Sequence, residues 1–180
     1  MTLSNQDGKL FFKLFLSLLD YANERFEMED PIYLPEEELL NQEAMVLTAQ
    51  KLWSKPSVIS DYLAWDRRIP QKQRAILQSW RRRIRGKFLV VEHRENGSLF
   101  VALDDYKVYL VQGIQSPLSE LLPGKELPVG VTATLLPFKK AIITDGLIIK
   151  SEAPVEEDLG KGMEKICDQA ERDGTIITRI

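Results

Sequence analysis

The hydrophobic period of this chain changes once, near Gly86. Upstream, apolar residues recur at helical spacing; downstream, they come in short β-branched runs broken by turn residues. A stripe at period 3.6 buries one face of a helix, and short runs at period 2 suit strands. That order predicts an α+β fold: a helical N-terminal region packed on a small antiparallel β-barrel, with a C-terminal helix. The expected parts are residues 1–85 (about four helices), 86–150 (the barrel) and 151–180 (helix and apolar tail). With 180 residues, 44% of them hydrophobic, the chain is long enough to bury a core.

In the first part, Phe11, Leu14, Phe15, Leu18, Ala22 and Phe26 share one face of a helix expected over about 6–28. Phe12, Leu16 and Leu19 widen the arc, as in a helix that is deeply buried or sits at an interface. A homodimer through this face is one expectation. Glu36, Glu37 and Glu38 follow Pro35 and suit the first turn of a second helix, where the dipole favours acids. That helix is expected to reach about Trp53. Pro56 opens a third helix carrying Val58, Ile59, Tyr62, Leu63 and Trp65, and Pro70 a fourth over about 70–85.

Downstream, Phe88–His93 and Leu99–Leu103 flank Glu95-Asn96-Gly97-Ser98, a hairpin signal. Asp104-Asp105 turns the chain into Lys107–Val111, and Pro117–Leu122 reads as a short helix. Val129–Pro137 is a further strand. Lys140–Thr144 and Leu147–Lys150 flank Asp145-Gly146, expected to form a second hairpin of type I′. About six short strands curl naturally into a barrel, which leaves few open edges. Glu156–Arg172 is expected to be helical with Gly174 at its C-cap, followed by the β-prone tail Thr175–Ile180.

Net charge is −3, but it is unevenly distributed. Residues 1–66 carry −7, residues 67–91 carry +9 with no acid, and residues 92–180 carry −5. A basic block between acidic parts can mark a polyanion site. Arg67, Arg68, Lys72, Arg74, Arg81, Arg82 and Arg85 are the candidate polyanion-binding residues, with Arg74, Gln78, Arg81, Arg82 and Arg85 on the outer face of the fourth helix. Three readings stand: internal pairing or solvation, a nucleic-acid face, and a site for an acidic protein. The third and fourth helices also outline a helix-turn-helix, without the glycine often found in its turn.

Other chemistries lack their residues. The chain has one histidine, His93, and one cysteine, Cys167. A disulfide scaffold and the usual zinc sites are excluded. His93 would have to serve any serine or cysteine nucleophile. It is read as a strand-end surface residue, and Cys167 as a helix-packing residue. Asp104, Asp105 and Asp145 could serve a metal-dependent hydrolase or nuclease, but Asp is expected in tight turns for its backbone hydrogen bonds. Neither phosphate-binding glycine motif is present. No catalytic residue, cofactor or metal is expected. Leu10–Leu19 is too short to span a bilayer and contains Lys13. The expected location is the cytoplasm, with no membrane partner.

Five segments resemble a group of uncharacterised bacterial proteins: Phe11–Phe26, Ser79–His93, 105–113, the LLPFKKAIITDGLI stretch Leu135–Ile148, and Ala170–Ile177. Thr144 departs from the group, where an aromatic residue is expected. The resemblance implies the helical-plus-barrel fold and carries no known activity. The expected function is a non-enzymatic binding or adaptor module; the alternative is a nucleic-acid-binding protein using the basic residues of 67–87.

Overall fold

The computed structural model describes residues 1–34 and 39–180. They form two compact units: Lys9–Arg81, and Met1–Gly8 together with Arg82–Ile180.

The first unit is helical. Helix α1 (Asn5–Arg25) begins in the other unit and supplies most of its length here. Strands β1 (Tyr33–Leu34) and β2 (Leu39–Leu40) pair antiparallel, and α2 (Gln42–Ser54), α3 (Ser57–Trp65) and α4 (Gln71–Ser79) follow. Helix α2 starts later than its charge pattern predicts, because Asn41 caps it: Asn41 Oδ1 accepts from the Ala44 amide at 3.1 Å. The expected dipole role of Glu36–Glu38 lies outside the described residues. The wide arc of α1 is largely covered: Phe11, Leu14, Phe15, Leu18 and Leu19 are buried, Phe12 and Leu16 half-buried. Its centre is a ring cluster in which Trp80 lies 5.7 Å from Phe11, 6.3 Å from Phe15 and 6.4 Å from Trp53. Asn23, a buried polar residue on α1, is satisfied by donating to the Asp30 carbonyl and to Thr48 Oγ1.

Helix α4 is shorter than the expected 70–85. It ends at Ser79, Trp80–Arg82 form one 3-10 turn, and β3 (Ile84–Arg94) begins two residues later. Arg85 is therefore a strand residue, opposite Thr134. Ile84 explains the switch: at strand period it packs on the barrel core with Phe88 and Val90.

The second unit is built on β3, β4 (Gly97–Ala102), β5 (Val108–Gln112), β6 (Val129–Phe138) and β7 (Ala141–Thr144). The order β3-β4-β5-β7-β6 closes through a β3–β6 pairing into a five-stranded barrel. Eleven residues long, β3 pairs with β6 over Ile84–Val90 and with β4 over Phe88–Arg94, with a bulge at Val91. The barrel is mixed, not purely antiparallel as expected, because β5 and β7 run parallel through Val111 and Gln112. The short helix α5 (Leu118–Leu121) lies in the connection from β5 to β6, and the chain between Gln112 and Ala141 exceeds the roughly dozen residues that a parallel return needs.

Two turns differ in detail. In the first hairpin the turn residues are Glu95 and Asn96, and Gly97 opens β4 with φ +149°. A Cβ there would meet the Val111 carbonyl oxygen at 2.6 Å, so close strand approach fixes this glycine. The expected Asp145-Gly146 hairpin does not form. Asp145 Oδ1 instead accepts from the Leu147 amide, and the chain leaves β7 so that β8 (Ile149–Lys150) pairs with β6.

Alternation along the strands sorts two cores. Phe88, Val90, Phe100, Tyr109, Val131, Leu135 and Ile142 belong to the barrel-core cluster. Leu89, Leu99, Val101 and Val108 pack outside it against Met163, Cys167 and Ala170 of α6 (Glu157–Arg172). After α6, Gly174 at φ +64° forms the expected C-cap, with the Thr175 amide on the Ala170 carbonyl at 2.8 Å. The tail then reaches β5: Ile177 donates to the Val108 carbonyl and accepts from the Leu110 amide.

Candidate functional site: the basic segment

The basic residues divide between the units. Arg67, Arg68, Lys72, Arg74 and Arg81 belong to the helical unit; Arg82, Arg83, Arg85 and Lys87 belong to the barrel unit. They do not lie on one helical face, because α4 ends before Arg81.

Arg74 is used internally. Its guanidinium donates to the carbonyls of Leu63 (2.8 Å) and Asp66 (3.2 Å) at the C-terminal end of α3. Those carbonyls lack helical partners, and a cation there also meets the negative end of the helix dipole. Arg68 pairs with Asp66, whose Oδ1 accepts from both the Arg68 backbone amide and Nε at 3.0 Å. These bonds from Arg68 hold the Asp66 carboxyl below its ordinary range. Arg83 is half-buried, and burial together with the neighbouring charge of Arg85 pulls its pKa down. Arg67, Arg68, Lys72, Arg81, Arg82 and Arg85 are all exposed.

The α3–α4 corner carries a residue that the sequence reading listed only among the apolar residues of the third helix. Trp65 is 66% exposed. Tyr62, three residues earlier, stacks on it at 6.2 Å and 28°, and Tyr21 of α1 lies 5.3 Å away. A helical wheel already held the signal. At 100° per residue, Trp65 falls about 90° from the centre of the stripe formed by Val58, Ile59, Tyr62 and Leu63. Arg67 and Arg68 follow it directly in sequence, and Lys72 stands in the first turn of α4.

The remaining candidates are engaged in structural contacts. His93 is a half-buried cross-link and not a surface residue: Nε2 lies 2.6 Å from the Leu122 carbonyl and Nδ1 2.7 Å from Ser98 Oγ. In the neutral ring, Nε2 donates to the carbonyl and Nδ1 accepts from the hydroxyl. Ser98 is buried, so this serine–histidine pair offers no open nucleophile. Cys167 is buried on the barrel-facing side of α6, and burial pushes its thiol up to about 11, the opposite of an activated thiolate. Asp105 accepts from the Lys107 amide and pairs with its ammonium, and Asp145 bonds within its own turn. Among the described residues, no three His, Cys, Asp or Glu side chains gather as a metal site. Nor is any described helix long and apolar enough to cross a membrane.

No family model, curated protein or solved structure matches the chain.

Proposed function

We propose that this chain is a non-enzymatic binding module whose partner is a polyanion, engaged by the basic residues of 67–87. The observation that carries the reading is the exposure of Arg67, Arg68, Lys72, Arg81, Arg82 and Arg85 within a segment that holds no acid. Arginine's planar fork suits phosphate oxygens, and each neutralised phosphate adds to a salt-sensitive affinity. A cytoplasmic setting accords with the single buried thiol.

Some five-stranded barrels bind oligonucleotides or oligosaccharides on the face of their second and third strands, an analogy of fold only. Here α6 packs on that face through Met163, Cys167 and Ala170, and the tail takes the free backbone groups of β5. The binding surface is therefore sought on the basic segment and not on the barrel wall.

The test measures binding of single-stranded and duplex nucleic acid at low and high salt. Two charge reversals are compared with wild type, Arg67→Glu/Lys72→Glu and Arg82→Glu/Lys87→Glu. Salt-sensitive binding lost in either variant supports the reading. No binding at low salt, or binding that both variants retain, rejects it.

A further inference from the structure

The corner between α3 and α4 combines an aromatic plane with cations, which a site for simple polyanions does not need. Trp65 is two-thirds exposed, yet it is not a loose side chain: Tyr62 stacks on it and Tyr21 lies beside it. Tyr62 is itself buried and packs against Tyr21 in a tilted ring contact at 5.2 Å and 47°, so the support is anchored in the core of the helical unit. The backbone beneath is fixed by Arg74, which ties the end of α3 to α4. Arg67, Arg68 and Lys72 supply positive charge within a few residues, against Asp61 and Asp66 nearby in sequence, and Asp66 is already paired with Arg68.

We infer that Trp65 is a base-stacking platform and that the ligand of this corner is single-stranded nucleic acid, with a base on the indole and the adjoining phosphates on Arg67 and Lys72. This rests on the polyanion reading above and narrows it. Proteins that bind single strands without sequence preference pair a cationic track with aromatic planes, since every base has a π-face. A paired base hides that face within its stack, so a duplex gains nothing from Trp65. An acidic protein would use the charges and leave the indole without a matching plane.

Three probes separate the possibilities: an oligo(dT) about ten nucleotides long, within the usual site size, a duplex of the same length, and inorganic polyphosphate, which has charge but no base. Trp53 and Trp80 are buried, so quenchable emission reports on Trp65. The expected result is that oligo(dT) binds and quenches emission, while polyphosphate binds without quenching. Trp65→Ala should weaken oligo(dT) by about tenfold, within the range for one stacked base, and leave polyphosphate unchanged. Trp65→Phe should retain most of the affinity. Oligo(U) in place of oligo(dT) tells RNA from DNA. If wild type binds polyphosphate and oligo(dT) equally well without quenching, or Trp65→Ala weakens both probes alike, the stacking inference falls and the polyanion reading stands. If wild type binds none of the probes, both fall. The quenching measurement needs only the wild-type chain, so the inference stays testable even if Trp65→Ala folds poorly.

Discussion

The outer face of β4 and β5 and the corner between α3 and α4 both present apolar or aromatic side chains, but the chain covers only the first. Leu99, Val101 and Val108 are buried under α6, which Arg94 also fastens by donating to both carboxylate oxygens of Glu171. Burial opposes the Arg94 charge, yet its bonds to Glu171 and Glu92 outweigh that and raise its pKa. At the corner, Trp65 has ring support on one side and solvent around the rest. Surface that a chain covers with its own helix serves folding. Surface that it supports from beneath and leaves open, beside cations, is where a partner has something to gain.

The largest expected effect contrasts two tryptophans. Trp80→Ala removes the centre of the ring cluster with Phe11, Phe15 and Trp53 and should cost about 3–5 kcal/mol in chemical denaturation. A loss under about 1 kcal/mol, the range of ordinary substitutions, would contradict the packing described. Next comes Arg74→Ala. It leaves the Leu63 and Asp66 carbonyls without their charged donor and should cost about 1.5–3 kcal/mol. If Arg74→Ala has no effect on stability but abolishes ligand binding, then Arg74 serves a ligand and not the helix end.

The covered face can be probed by pH. Folding raises the Cys167 thiol to about 11, above the ordinary value of about 8.5. Between those values the unfolded chain loses a proton that the folded chain keeps, so this group makes stability fall as pH rises through the window. Cys167→Ala should lack that loss in denaturation series taken across the window. Equal alkaline slopes in both proteins would show that α6 does not shield the thiol. The smallest effect belongs to the uncovered corner: Trp65→Ala should cost about 0.5–1.5 kcal/mol, the worth of an aromatic pair, because it removes the ring contacts with Tyr62 and Tyr21 but no buried core.

Much of the fold was legible in the sequence because its signals are local. The change of period near Gly86, Gly174 as a C-cap and the Asn96-Gly97 hairpin all depend on residues close in sequence. The parallel β5–β7 pair and the return of β8 to β6 were not legible. Strand partners are chosen by closure of the barrel, which turn residues do not encode. The candidate site was legible as charge but not as geometry. A wheel drawn through 70–85 assumes one helix, whereas the chain leaves helical geometry after Ser79 and puts Arg85 on a strand. Arg74 looked outward on that wheel, yet the unpaired carbonyls of α3 draw it back. Trp65 carried a visible signal, its offset from the apolar stripe, that hydrophobicity alone obscured.

Engagement of phosphates by the basic segment is read from the salt dependence of oligo(dT) binding. Each phosphate neutralised on a single strand contributes about −0.7 to the slope of log K against log salt. Wild type should show a steep negative slope that becomes shallower by about 1.4 in Arg67→Glu/Lys72→Glu, two phosphate contacts' worth. A slope near zero for wild type, or a slope unchanged both in this variant and in Arg82→Glu/Lys87→Glu, would contradict it.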